Sequence, residues 1–148
     1  MPCSRLPTKT TGSTIMDVEI IIVDSDAGVM NARQKGRELA MAVGISGCDL
    51  TLIATAISEI ARNIVQYAGQ GEIELSHIVR GGKRGVLIIA RDRGPGIPDV
   101  ARAMQDGFST SKGMGLGLPG TRRLMDDFEI VSEVGKGTTI TMVKWEHA

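Results

Sequence analysis

The sequence is poor in aromatic residues, with one tryptophan, one tyrosine and two phenylalanines among 148. A single core therefore has to be built from aliphatic side chains. Only two cysteines are present. Cys3 lies in a polar stretch and Cys48 in an apolar helical region, with no C-x-x-C or Cys/His spacing, which argues against a disulfide framework or a zinc site and fits a reducing compartment. Net charge is absent too: 17 basic residues balance 17 acidic ones, leaving no electrostatic footprint for duplex phosphates or an anionic membrane surface. Neither nucleic acid nor membrane is an expected partner. No apolar run approaches the ~18 residues that span a bilayer, and residues 1–14 lack the hydrophobic centre of a signal peptide. A soluble cytoplasmic protein is expected.

What the chain has in excess is glycine, 19 of 148 residues, nearly twice the usual share of about 7%. The apolar pattern between the glycines gives the elements. Residues 1–14 are Ser/Thr/Pro-rich and cannot offset their own ordering entropy, so they read as a disordered tail, with one domain over residues 15–148. Residues 15–23 are rich in β-branched side chains and read as a strand. Asp24, Ser25 and Asp26 then offer capping chemistry to a helix holding Val29, Ala32, Ala40 and Val43, which Gly44 closes. Over residues 49–67, Ile53, Ile57, Ile60 and Ile64 recur at spacings of four, three and four, one buried stripe of a helix. Glu59 and Asn63 share a face about 110° from that stripe, at the rim of the buried side, where a polar pair can meet a ligand.

Residues 72–79 and 85–92 form a hairpin, residues 98–105 and 118–128 short helices, and residues 129–133 and 138–145 a closing hairpin. Strands grouped in hairpins with helices between them predict an α/β two-layer sandwich with a mixed β-sheet and helices on one face.

Seven glycines fall between Gly94 and Gly120. They cluster at Asp92-Arg93-Gly94-Pro95-Gly96, at the end of a strand, and from Gly113 to Gly120, before a helix. Alternate glycines let backbone N–H groups converge on a phosphate, and a following helix N-terminus adds its positive dipole end. Gly135-Lys136-Gly137 by itself reads as a hairpin turn. Gly115 to Gly120 fits G-x-G-x-x-G, but a polar loop precedes it and the position about 20 residues later is Ile140, so the dinucleotide reading fails. There is no G-x-x-x-x-G-K-[ST] sequence and no eukaryotic-type kinase signature.

The ordered set Glu59-x-x-x-Asn63, Asp92-x-Gly94-x-Gly96, Gly113-x-Gly115-x-Gly117-Leu118 and Gly135-x-Gly137-Thr138 resembles the N, G1, G2 and G3 boxes of the GHKL ATPase superfamily, which takes the Bergerat fold. Closer still, the segments SEIARNIVQYAGQGEIEL, DRGPGIPD, MQDGFSTSKG, GLPGTRRLMDDFEIVSEVGKGTTIT and KW resemble the RsbT-type switch serine/threonine kinases, over nearly all of residues 15–145. The resemblance implies ATP and Mg²⁺ as cofactors, with Asn63 ligating the metal through its amide oxygen and Glu59 as general base. Asp92 would accept from the adenine amine, with Gly94 and Gly96 letting the chain pass close to the base. Gly113, Gly115, Gly117 and Leu118 would belong to a phosphate lid over residues 107–117, and Thr138 would stand near the base. Lys112 and Leu116 depart from smaller residues in some relatives.

As partners the resemblance implies STAS-domain protein substrates of a stressosome-like complex, and a metal-dependent serine/threonine phosphatase activated after release. Two other readings compete with it. A histidine-kinase fragment needs a phosphoacceptor histidine on a dimerisation helix, and His77 and His147 lack that context. A non-enzymatic adaptor that sequesters or activates a partner remains the alternative, and a Glu59 merely paired with Arg62 is the plain reading of that residue.

Overall fold

A computed structural model describes residues 12–105 and 117–147. The order is β1 (Ser13–Val23), α1 (Asp26–Val43), α2 (Cys48–Asn63), β2 (Gly71–Arg80), β3 (Lys83–Asp92), α3 (Val100–Ala103), α4 (Gly117–Leu124), β4 (Asp127–Glu133) and β5 (Gly137–Trp145). The sheet has five strands in the order β1-β2-β3-β5-β4. Helices α1 and α2 pack on each other and on one face of the sheet, so the two-layer α/β architecture holds. Among the described residues no helix is long and apolar enough to cross a membrane.

The expected mixed sheet needs correction, because every neighbouring pair of strands is antiparallel. Strands β3 and β4 do point the same way, as strands joined by a helical crossover should. β5 then inserts between them and pairs antiparallel with both, which removes the parallel contact. β1 begins at Ser13, opposite Arg80, so its first two residues come from the segment expected to be tail. Residues 1–11 lie outside the described part of the chain.

Side-chain alternation sorts the strands into two apolar layers. Ile73, Leu75, Val86, Ile88, Ala90, Ile140 and Met142 join Ile53, Ile57 and Ile60 of α2 beneath the helices. Ile78, Leu87, Ile89, Val143 and Trp145 form a smaller cluster on the opposite face. The isoleucine stripe of α2 is as buried as its spacing requires: Ile53 and Ile57 are fully covered. In β1 the register shifts between Met16 and Glu19, where Asp17 takes a positive φ of 57°. This bulge returns Ile21 and Val23 to the core while Ile20 and Ile22 stay exposed on the other face.

Helix α1 ends at Gly44, in the left-handed region, with its N–H donating to the carbonyls of Ala40 and Met41. Ser25 occupies the N-cap position in extended conformation, but its side chain makes no capping bond. Beyond Asn63, α2 widens into a π-helical turn, Ile64–Ala68. At the far end of the sheet, buried Lys144 donates to Leu124 O at 2.9 Å. Its ammonium also lies 3.7 Å from Asp126 and 3.8 Å from Asp49. Asp126 accepts the Trp145 N–H at 2.7 Å, and Asp127 accepts the indole N–H at 3.1 Å.

Candidate functional site

Helix α2 presents Glu59 and Asn63 one turn apart at the edge of its buried face. Glu59 is only 8% exposed, and its carboxylate lies 3.4 Å from the guanidinium of Arg62, a side chain that is itself mostly in solvent. The pairing with Arg62 therefore exists, but on a covered carboxylate rather than a solvated one. The Asn63 amide makes no side-chain hydrogen bond to another described residue. The π-helical turn that follows keeps Tyr67 on the same side as Asn63, and both line one cavity. Such widened turns often accompany functional sites.

The cavity has a volume of about 460 Å³, in the usual range for small-molecule sites. Its apolar lining includes Ile60 of α2, Ile64 of the π-helical turn and Ile140 of β5, and polar side chains stand among them. Glu59 and Asn63 come from α2; Asp92 and Thr138 belong to adjacent strands as direct register partners. Asp92 Oδ1 accepts the Gly94 N–H at 2.9 Å. The neighbouring Arg91 points to the opposite face, where it pairs with Glu72 and buried Glu74 at 2.7 and 2.9 Å. Among the described residues Asp92 thus has no ion pair, and its second carboxylate oxygen is left as an acceptor.

The glycines beside Asp92 act through close approach. A side chain at Gly96 would collide with the backbone of Glu133, and one at Gly137 with the backbone of Asp92. Gly137 also has a φ of +121°, which L side chains rarely adopt. These contacts, with the Gly135 N–H donating to Pro95 O at 2.9 Å, clamp the loop after β3 onto the turn before β5. Gly117 and Leu118 line the cavity at the start of α4. Gly113, Gly115 and most of the expected lid, Lys112 included, lie outside the described residues.

The spacing of the sequence did not single out four participants. Tyr67 and Arg102 line the cavity, as does Ile97. Ser132 of β4 accepts the Ile97 N–H at 2.7 Å and sits 2.8 Å from the Thr138 hydroxyl. Ser132 carried a signal, since inward-facing Phe128 and Ile130 put it on the core face, where an unexplained polar residue calls for a partner.

An acceptor-only carboxylate and a hydroxyl on paired strands, lining a partly apolar cavity, suit a flat heteroaromatic base with a donor on its edge. The oxygens of Glu59 and Asn63 are of the kind that hard cations take. The chain is similar to known proteins. The model of the histidine kinase-like ATPase domain matches residues 22–144. The serine/threonine-protein kinase RsbT of Bacillus subtilis is 48% identical over 129 residues, covering 87% of this chain and 97% of its own. The anti-sigma F factor of Geobacillus stearothermophilus is 34% identical over 103 residues, 65% of this chain and 69% of that one.

Among solved structures, the RsbU and RsbW domains of Rv1364c from Mycobacterium tuberculosis superpose with a TM-score of 0.61 at 23% identity, over 90% of this chain and 33% of that longer one. The mycobacterial sensor histidine kinase MprB gives 0.53 at 16% identity, over 86% of this chain and 96% of that one. These two speak for the fold alone. With a family match from β1 to β5 and a relative nearly half identical along its whole length, the chain belongs to the histidine kinase-like ATPase family, alongside the RsbT-type serine/threonine-protein kinases.

Proposed function

We propose that this protein serine/threonine kinase binds Mg-ATP in the cavity between α2 and the adjoining ends of β3 and β5 and passes the γ-phosphoryl group to a hydroxyl of a partner protein. The observation that carries the reading is the meeting of Glu59 and Asn63 on α2 with Asp92 and Thr138 on the sheet around one cavity. Asp92 accepts from the exocyclic amine of adenine; guanine would set a carbonyl against it. Asn63 offers one amide oxygen to Mg²⁺. Among the described residues there is no cluster of three His, Cys, Asp or Glu that would cage a cation. Bound magnesium, a hard cation that takes oxygen ligands, would be held from the protein side by the Asn63 oxygen. When bound, the metal neutralises charge on the phosphate oxygens.

Glu59 receives the proton of the attacking serine or threonine hydroxyl. As that oxygen bonds to the γ-phosphorus, the bond to the β-phosphate oxygen breaks and ADP leaves. Gly117 and Leu118, at the start of α4 and on the cavity wall, would meet the phosphates.

The finer reading is of a cytoplasmic switch kinase that phosphorylates STAS-domain proteins of a stressosome-like complex and, on release, activates a metal-dependent phosphatase. Similarity to RsbT supports it. The anti-sigma F factor relatives support the second reading, a binding module that sequesters its partner. Purified protein, radiolabelled Mg-ATP and a STAS-domain partner test both. Wild type should transfer label, and Glu59→Gln should lose transfer by at least about a hundredfold while still binding ATP. Normal transfer by Glu59→Gln sinks the general base; stable partner binding without any transfer favours the binding module; no adenine nucleotide binding sinks the site.

A further inference from the structure

Three described carboxylates line the cavity, those of Glu59, Asp92 and Asp99, and of these Glu59 alone is buried. A carboxylate taken out of water needs a partner for its charge; without one it takes up a proton or turns back to solvent. Glu59 has one such partner. Its Oε1 lies 3.4 Å from Arg62 Nη1, and its carboxylate makes no other hydrogen bond or ion pair with a described residue. The side chain of Glu59 is 10% exposed and that of Arg62 59%, so the pair runs from the covered site to the surface.

Both residues belong to α2, at i and i+3, so the backbone of one helix brings them together. Arg62 precedes Asn63 in the chain. Unlike Glu59 and Asn63, it is not among the described residues that line the cavity. The guanidinium therefore holds Glu59 from outside the space that ATP would fill. A carboxylate has two acceptor oxygens; with Oε1 on Arg62, Oε2 is left to receive a proton. We propose that Arg62 is a positioning residue for phosphoryl transfer: it keeps the Glu59 carboxylate charged and turned so that Oε2 meets the proton of the acceptor hydroxyl. Without Arg62, Glu59 either takes up a proton or swings out to water, and neither form serves as a base at the cavity. This rests on the reading of Glu59 as the general base.

The test is steady-state transfer of label from Mg-ATP to a STAS-domain partner, with the ATP Kd measured alongside, for wild type, Arg62→Met, Arg62→Lys, Glu59→Gln and the double variant. Arg62→Met should lower kcat about tenfold, a part of the ~10²–10⁴-fold that a general base supplies. The ATP Kd and the partner KM should change by less than about twofold, as for a group that acts only in the chemical step. Arg62→Lys should recover most of the loss, because the contact is made through a single nitrogen. The double variant should lose no more than Glu59→Gln alone, since Arg62 acts through Glu59. A raised partner KM with unchanged kcat would make Arg62 a docking residue, and weakened ATP binding would make it a nucleotide ligand. Unchanged kcat would leave only a pair on a helix surface, and raised kcat would make Arg62 a brake. Each of these four results overturns the proposal. If Arg62→Met fails to fold, Arg62→Gln carries the same comparison. Normal transfer by Glu59→Gln removes the general base and this proposal with it; loss by Glu59→Gln beside normal transfer by Arg62→Met removes this proposal alone.

Discussion

One carboxylate oxygen of Asp92 serves the protein, and the other has no partner among the described residues. Oδ1 takes the Gly94 N–H, and an asparagine oxygen would keep that bond, so Asp92→Asn should fold with an unchanged melting midpoint. Its amide nitrogen would then face the cavity, a donor where adenine also brings a donor. ATP binding should fall about tenfold to a hundredfold, the range for a hydrogen bond to a charged group, and discrimination against GTP should narrow; titration calorimetry with both nucleotides reads this. An unchanged ATP affinity would remove Asp92 from the base site.

Residues of this kind were legible in the sequence because they sit in short, local motifs. Glu59 and Asn63 need only helical spacing, and Asp92 and the glycines near it need only a strand end. Ser132 was hidden, since its partners Ile97 and Thr138 come from two other segments, and no spacing along the chain announces that meeting.

The elements with local signals, namely the isoleucine stripe of α2, the Gly44 cap and the β2–β3 hairpin, were all readable. The strand order was not, because insertion of β5 between β3 and β4 is a non-local event that the run of elements does not encode. The bulge at Asp17 was also missed: an apolar run looks continuous whether or not its register slips. One anchor belongs to this scale. Lys144 ties β5 to the last carbonyl of α4, that of Leu124, and approaches Asp49 at the start of α2 and Asp126 before β4.

Helix α4 opens with Gly117 and Leu118 at the cavity, so its far end is fixed by a residue that never reaches the ligand. Lys144→Met, close in length and apolar, should cost about 2 kcal/mol through the Leu124 carbonyl left unpaired and the lost attraction to Asp49 and Asp126. It should also weaken ATP binding by loosening α4. Urea unfolding checks the first outcome and nucleotide titration the second; a stable variant with normal affinity would show that α4 needs no such tether.

At the scale of the molecule, one aliphatic core supports both stability and site. Ile57 is fully buried on α2 between the sheet and α1, where the missing side chain of Gly36 makes room for its terminal methyl. Ile57→Ala should lower stability by about 2–5 kcal/mol, a large share of the ~5–15 kcal/mol that typical domains have. Denaturant titration measures it, and saturating ATP should recover part of the loss, since a ligand bound only by the folded state stabilises that state.

The position of β5 has a consequence for how the molecule is made. Synthesis delivers β4 before β5, yet β5 lies between β3 and β4 in the sheet. In the finished sheet β3 and β4 stand roughly 10 Å apart, two strand spacings, with no hydrogen bonds between them. β5 also brings Gly137 and Thr138. A nascent chain therefore acquires its complete sheet and the Thr138 wall of the cavity in the same step, so a ribosome-bound intermediate ending before residue 137 should have neither.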